Sequence, residues 1–119
     1  MLENHPSRDA IRLENVLTAL GNPLRMAVIV VLAGGGEHTC GSLVPGVSKS
    51  TLTHHWRVLR DSGVIWQKPS GRENLLSLRS DDLNARFPGL LAAVLAAAEQ
   101  DALTRSALQP YLPATPPPR

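Results

Sequence analysis

No part of the chain constrains the fold as tightly as residues 48–79. Ser48 is a good helix N-cap and Gly63 a good C-terminal stop, so residues 48–62 read as a helix with both ends marked. At about 100° per residue, Leu52, His55, Trp56 and Leu59 gather on one stripe. Ser50, Thr53, His54 and Arg57 fall on the opposite face, and none of the four is a carboxylate. A solvated face ordinarily mixes acids with bases, which favours solubility and i,i+4 pairing. Here acid is absent until Asp61. Directly after the helix, 64–68 and 74–79 are apolar-rich runs of strand length. Between them, Pro69-Ser70-Gly71-Arg72-Glu73 carries the Pro and Gly of a hairpin loop. A helix followed at once by a hairpin with a basic tip is the winged helix-turn-helix arrangement: mainly α, with one small β-hairpin.

A surface that must meet phosphate has a physical reason to exclude acid. The pattern therefore predicts helix 48–62 in the major groove of double-stranded DNA, with wing 64–79 bringing Lys68 and Arg72 to the backbone or minor groove. The predicted DNA-contacting residues are Ser48, Lys49, Ser50, Thr51, Thr53, His54, Arg57, Lys68 and Arg72. His55 and Trp56 lie toward the core stripe and take structural roles, Thr51 is placed to serve the cap as well as DNA, and Glu73 is expected to face away or pair with a neighbouring Arg. Charge is distributed accordingly. The net charge is only +2, yet residues 48–79 hold Lys49, Arg57, Arg60, Lys68, Arg72 and Arg79 against Asp61 and Glu73, a surplus of four. Aromatic content of 3% leaves few side chains to stack on single-stranded bases, which argues against a dedicated single-strand binder.

Leu20-Gly21-Asn22-Pro23-Leu24-Arg25, the Ser-Lys-Ser-Thr-Leu-Thr-His-His helix, Val58-Leu59-Arg60-Asp61-Ser62-Gly63-Val64-Ile65 and the Gly-Arg wing together resemble the ArsR/SmtB family of bacterial winged-helix repressors. The resemblance spans roughly residues 12 to 98, with Thr53 where the family usually has Ser. It implies a homodimeric repressor that leaves its operator when an effector binds. It does not identify the effector. Many relatives sense metals through two cysteines separated by one residue in the helix before the turn, whereas this chain has only Cys40 there. Other relatives place Asp and His ligands on the last helix, and no His occurs on this one.

At 119 residues the chain has room for one core. Residues 1–8 lack apolar periodicity and read as a loose N-terminus, 9–108 as the DNA-binding and dimerisation domain, and 109–119, rich in Pro, as a flexible tail. Leu13, Val16, Leu17 and Leu20 predict a first helix over 9–20; Asn22 caps a second with Pro23 at its first position. The apolar run 27–32 fits a buried strand equally well by periodicity, and the Asn-Pro start favours helix. Residues 39–44 are expected to form the short helix before the turn Pro45-Gly46-Val47. After the wing, Ser80 reads as an N-cap with Asp81 and Asp82 in the first turn, and Pro88 opens a last helix over 90–98. That helix shows no polar side before Glu99 and is too short to span a bilayer. Such a helix must be covered on every flank, so a partner subunit is expected against the first and last helices, through Leu13, Val16, Leu17, Leu91, Val94 and Leu95.

Other classes fare poorly. His54 and His55 are adjacent rather than i,i+4, so they cannot jointly chelate, and His38 with Cys40 offers two soft ligands where a closed site needs about four. No metal or other cofactor is expected. Candidate nucleophiles and bases occur singly, never as a set, which argues against an enzyme. A winged helix that binds only protein would not require an acid-free face; that alternative stays open, as does a thiol-responsive regulator acting through Cys40. A single cysteine and the lack of an opening signal segment fit a cytoplasmic protein of the bacterial nucleoid, with no membrane partner.

Overall fold

The computed structural model describes residues 5–113. Six helices surround a three-stranded antiparallel sheet in the order α1 (Leu13–Leu20), α2 (Pro23–Leu32), β1 (His38–Thr39), α3 (Lys49–Asp61), β2 (Ile65–Ser70), β3 (Glu73–Leu78), α4 (Ser80–Arg86), α5 (Leu90–Gln100) and α6 (Ala102–Leu108). This is the mainly helical winged helix-turn-helix fold, with β3 central between β1 and β2.

Local chemistry sets the helix ends. Asn22 Oδ1 accepts from the Arg25 backbone N–H at 3.1 Å and Pro23 fills the first turn, so the ambiguous apolar run is helix α2, with Ala27, Val28 and Ile29 buried. Ser48 caps α3, its Oγ accepting from the Thr51 N–H at 3.4 Å. At the other end the Val64 N–H reaches the Leu59 carbonyl and the Gly63 N–H the Arg60 carbonyl, the paired closure that needs a left-handed residue. Gly63 provides it with φ of 87°, and a Cβ there would lie 2.5 Å from Ile11 Cγ1. Both the backbone angle and the close approach of the N-terminal segment thus demand glycine.

The core gathers α1, α2, α3, the sheet and α5 around Val16, Ile29, Leu32, Leu43, Leu59, Ile65 and Leu76, all essentially inaccessible. The Leu52, Trp56 and Leu59 stripe of α3 faces this core. A two-residue loop, Gly71-Arg72, joins β2 and β3, shorter than the five residues expected. Pro69 and Ser70 extend β2 instead, which Pro69 can do because β2 is an edge strand.

Several elements depart from the expectations. Helix α1 starts at Leu13 rather than Asp9; Arg8–Ala10 form a 3-10 turn and Ile11 runs extended, buried beneath Gly63. Residues 39–44 are not an α-helix. His38 and Thr39 pair with Leu76 and Leu75 as β1, and only Cys40–Ser42 make a helical turn, because strand pairing takes Thr39 at one end and Leu43 leaves the helical region at the other, with φ of -88° and ψ of -92°. Arg79, not Ser80, occupies the N-cap position of α4, and left-handed Gly89 precedes α5. Asp101 then caps α6, accepting from the Thr104 N–H at 2.9 Å, a helix absent from the expected organisation.

The expected loose N-terminus does not hold for residues 5–8. The Gln67 N–H donates to His5 Nε2 at 2.9 Å, Arg79 donates to the Pro6 carbonyl at 2.8 Å, and Arg8 pairs with Asp82 at 2.7 Å. The Pro-rich segment likewise begins later than residue 109: Gln109–Tyr111 form a 3-10 turn, and Tyr111 and Leu112 pack beside Ala27, Ala98 and Leu108. Residues 1–4 and 114–119 lie outside the described range.

Candidate nucleic-acid interface

Helix α3 presents its polar face outward: Ser50, Thr53, His54 and Arg57 are all exposed, as are Lys49 at its start and Arg72 at the hairpin tip. Among the described residues Lys49, Arg57 and Arg72 make no ion pair, so three cations face solvent around α3 and the wing. A cavity of about 280 Å³ lies between helix and wing, lined in part by Lys49, Thr53, Arg72 and Cys40.

Not every expected contact residue is equally available. The Ser48 hydroxyl serves the cap and donates to Thr51 Oγ1 at 3.0 Å, so both side chains are engaged at the helix start. Thr53 Oγ1 donates to the Lys49 carbonyl at 2.8 Å, so its hydroxyl keeps only its capacity to accept. Lys68 Nζ lies 2.8 Å from Glu37 Oε2, an exposed pair of a kind worth at most about 1 kcal/mol. Glu73 neither faces away nor pairs with an arginine. Its Oε1 accepts from the Gly41 N–H at 3.3 Å, which ties the wing to the turn before α3.

Arg79 counts in the local charge surplus, but its guanidinium is turned inward rather than presented to solvent. Its side chain is 1% exposed, stacked 3.7 Å over the Trp66 ring and paired with Asp82 at 2.9 Å. Burial raises the Asp82 carboxyl, but hydrogen bonds from Arg8 and Arg79, with their charges, outweigh it and hold the group below the usual carboxylate range. This network straps the N-terminal segment to the base of the wing. Nothing in local sequence announces it, since Arg8 and Asp82 are 74 residues apart.

Cys40 is half-buried, and burial pushes its thiol pKa up, away from the reactive thiolate. His38 uses Nε2 to donate to the Gly35 carbonyl at 3.1 Å. Among the described residues no three His, Cys, Asp or Glu side chains converge, and no single helix is long and apolar enough to cross a membrane.

Two of the residues expected at a subunit interface belong to the chain's own core. Val16 is fully buried and Leu91 is 6% exposed, because the 3.6-residue period turns Val16 inward from Leu13 and Leu17, and α5 packs on α2, α4 and α6. The cover that α5 was expected to take from a partner comes partly from α6. Val94 and Leu95 are half-buried. Leu13 and Leu17, one turn apart on α1, remain 42% and 48% exposed.

Fold and surface together define a winged helix-turn-helix protein with the polar side of α3 exposed. The comparisons agree. A family described as a helix-turn-helix domain matches residues 20–65. The HTH-type transcriptional regulator YceK of Bacillus subtilis (strain 168), itself described as uncharacterized, is 32% identical over 88 residues, covering 71% of this chain and 87% of that one. The HTH-type transcriptional regulator YgaV of Escherichia coli (strain K12) is 28% identical over 72 residues, covering 59% and 73%. A crystal structure of an ArsR family transcriptional regulator superposes with a TM-score of 0.56 at 28% identity over 79% of this chain and 91% of that one. The transcriptional repressor BigR from Xylella fastidiosa shares the fold, with a TM-score of 0.57 at 22% identity over 76% and 86%. This chain belongs to the HTH-type transcriptional regulators, and it is similar in structure to a regulator of the ArsR family.

Proposed function

We propose that the protein is a homodimeric repressor that binds a specific double-stranded operator, with α3 in the major groove and the Gly71-Arg72 wing tip on the neighbouring backbone. The observation that carries this reading is the exposed face of α3, where Ser50, Thr53, His54 and Arg57 offer hydrogen bonds without a single acid. Thr53 and His54 are assigned to base edges and Lys49, Arg57 and Arg72 to phosphates, which sorts specificity from affinity. Ser48 and Thr51 hold the helix start, and Lys68 exchanges Glu37 for phosphate at small cost. Leu13 and Leu17 on α1, together with the half-buried Val94 and Leu95 on α5, are assigned to the proposed subunit contact. Repression and release by an effector follow the family resemblance, and a bacterial cytoplasmic location goes with them.

Selection of bound fragments from genomic DNA, followed by gel shift, tests the reading. The expected result is a palindromic site bound on the order of a thousandfold or more tighter than random DNA, at a stoichiometry of two chains per site. Binding with no preference among sequences, or by a chain that light scattering finds monomeric at micromolar concentration, would overturn it.

A further inference from the structure

Arg25 joins three helices. It is the third residue of α2, and its side chain turns back to the end of α1, where Nε donates to the Ala19 carbonyl at 2.7 Å and Nη2 to the Thr18 carbonyl at 3.3 Å. Those carbonyls belong to the last turn of α1, where helical partners run out and a cation is favoured. The third nitrogen, Nη1, lies 3.0 Å from Nδ1 of His55 on α3.

A guanidinium has only donors and keeps its proton, so His55 Nδ1 must accept. The ring is then neutral and carries its proton on Nε2. Burial, the Arg25 charge and the neighbouring His54 all push the His55 pKa below the ordinary histidine value, in the same direction as this geometry. Arg25 on α2 and His54 on α3 are the charged or titratable groups facing the ring, and neither is an acid that would favour imidazolium. Among the described residues the sole buried side-chain polar atom without a partner is Gln67 Oε1, so His55 Nε2 meets solvent. It does so next to His54, at the edge of the polar face of α3.

We propose that Arg25 is a positioning residue for DNA binding: one guanidinium clamps the end of α1 and fixes His55 in the tautomer that offers an Nε2–H donor to the DNA backbone. The subunit-contact helix and the recognition helix are thereby held in one orientation, and His55 joins the DNA-facing set. The consequence for DNA rests on the function proposed above, while the coupling itself can be read in the free protein.

Long-range nitrogen–proton NMR on histidine-labelled full chain reads the tautomer. At pH 7 the wild type is expected to show His55 neutral, with Nε2 protonated and Nδ1 accepting. In Arg25→Lys, which keeps a charge at the end of α1 but offers a different donor geometry, that signature is expected to relax toward a tautomer mixture. Protonated Nδ1 in the wild type, or an unchanged spectrum in Arg25→Lys, would overturn the proposal. Operator affinity of Arg25→Lys, His55→Asn and the double variant gives the second arm. Asn keeps an acceptor near the Nδ1 position but loses the outward donor. Each single change is expected to cost about tenfold and the double variant no more than about tenfold to thirtyfold, because coupled residues are not additive. Full multiplicative loss, or no loss in either single variant while the wild type still selects its operator, would overturn the positioning role and leave the function proposed above standing. A wild type that selects no operator would defeat both.

Discussion

The face around α3 and the face around α1 treat their side chains in opposite ways. On the first, Leu52, Trp56, Leu59, Val64 and Ile65 are 7% exposed or less, and what reaches solvent is polar or basic. On the second, Leu13 and Leu17 stand a turn apart and almost half exposed. A single exposed leucine is ordinary on a protein surface, but two on one helix face make a patch. The contrast teaches that one chain suffices to build the polar surface proposed to meet DNA, and that the exposed leucines of α1 are where the proposed second chain would add burial.

Substitutions can break this contrast. Leu59→Ala, in the fully buried stripe, is expected to cost about 2–5 kcal/mol of unfolding free energy in denaturant titration. Leu17→Ala is expected to stay within about 0.5 kcal/mol for the isolated chain yet weaken self-association, read as a lower concentration-dependence of the midpoint. Equal costs for the two, independent of protein concentration, would erase the distinction between the faces. Gly63→Ala comes next. The left-handed backbone alone costs about 1–2 kcal/mol, and the contact with Ile11 adds to it; a thermal midpoint equal to wild type would show that the N-terminal segment does not pack there.

How far these faces could be foreseen depends on the range of the forces that set them. Caps act over three or four residues, so Ser48, Asn22 and Gly63 mark their helices from sequence, and the outward set Ser50, Thr53, His54 and Arg57 follows from the helical period. The same local signal was available at Asp101 and Thr104 for α6. Contacts between distant residues leave no such trace. Strand β1 is only two residues long and exists because β3 is beside it. The Arg8–Asp82–Arg79 network and the Glu73–Gly41 bond join segments that no periodicity links. Val16 and Leu91 look like interface residues in an apolar pattern, and only three-dimensional packing shows them inside.

A smaller effect probes the seam between the two faces. The His55 pKa is lowered in the folded chain, so the unfolded chain binds that proton more readily. Stability then falls as pH drops through the unfolded value near 6.5 toward the folded one, and flattens below it. His55→Asn is expected to remove this part of the pH dependence in thermal melts, leaving the rest unchanged. An identical profile in variant and wild type would mean that the ring does not meet Arg25 as a neutral acceptor.

The smallest expected effect concerns the wing. Arg72→Ala should weaken binding to all sequences alike and reduce the slope of log affinity against log salt by about one unit. Unaltered slope together with unaltered affinity would place the wing tip away from DNA.

The central claim is that the acid-free face of α3 reads base sequence. Its most direct test is the ratio of operator to random-DNA affinity for Thr53→Ala combined with His54→Ala, measured by fluorescence anisotropy at fixed salt. Both side chains are exposed and lie outside the core, so the fold should survive. The account predicts a collapse of the ratio, since each lost base contact costs about 1–3 kcal/mol, while weak, salt-sensitive binding through Lys49, Arg57 and Arg72 persists. A double variant that keeps the wild-type preference for its operator would contradict it.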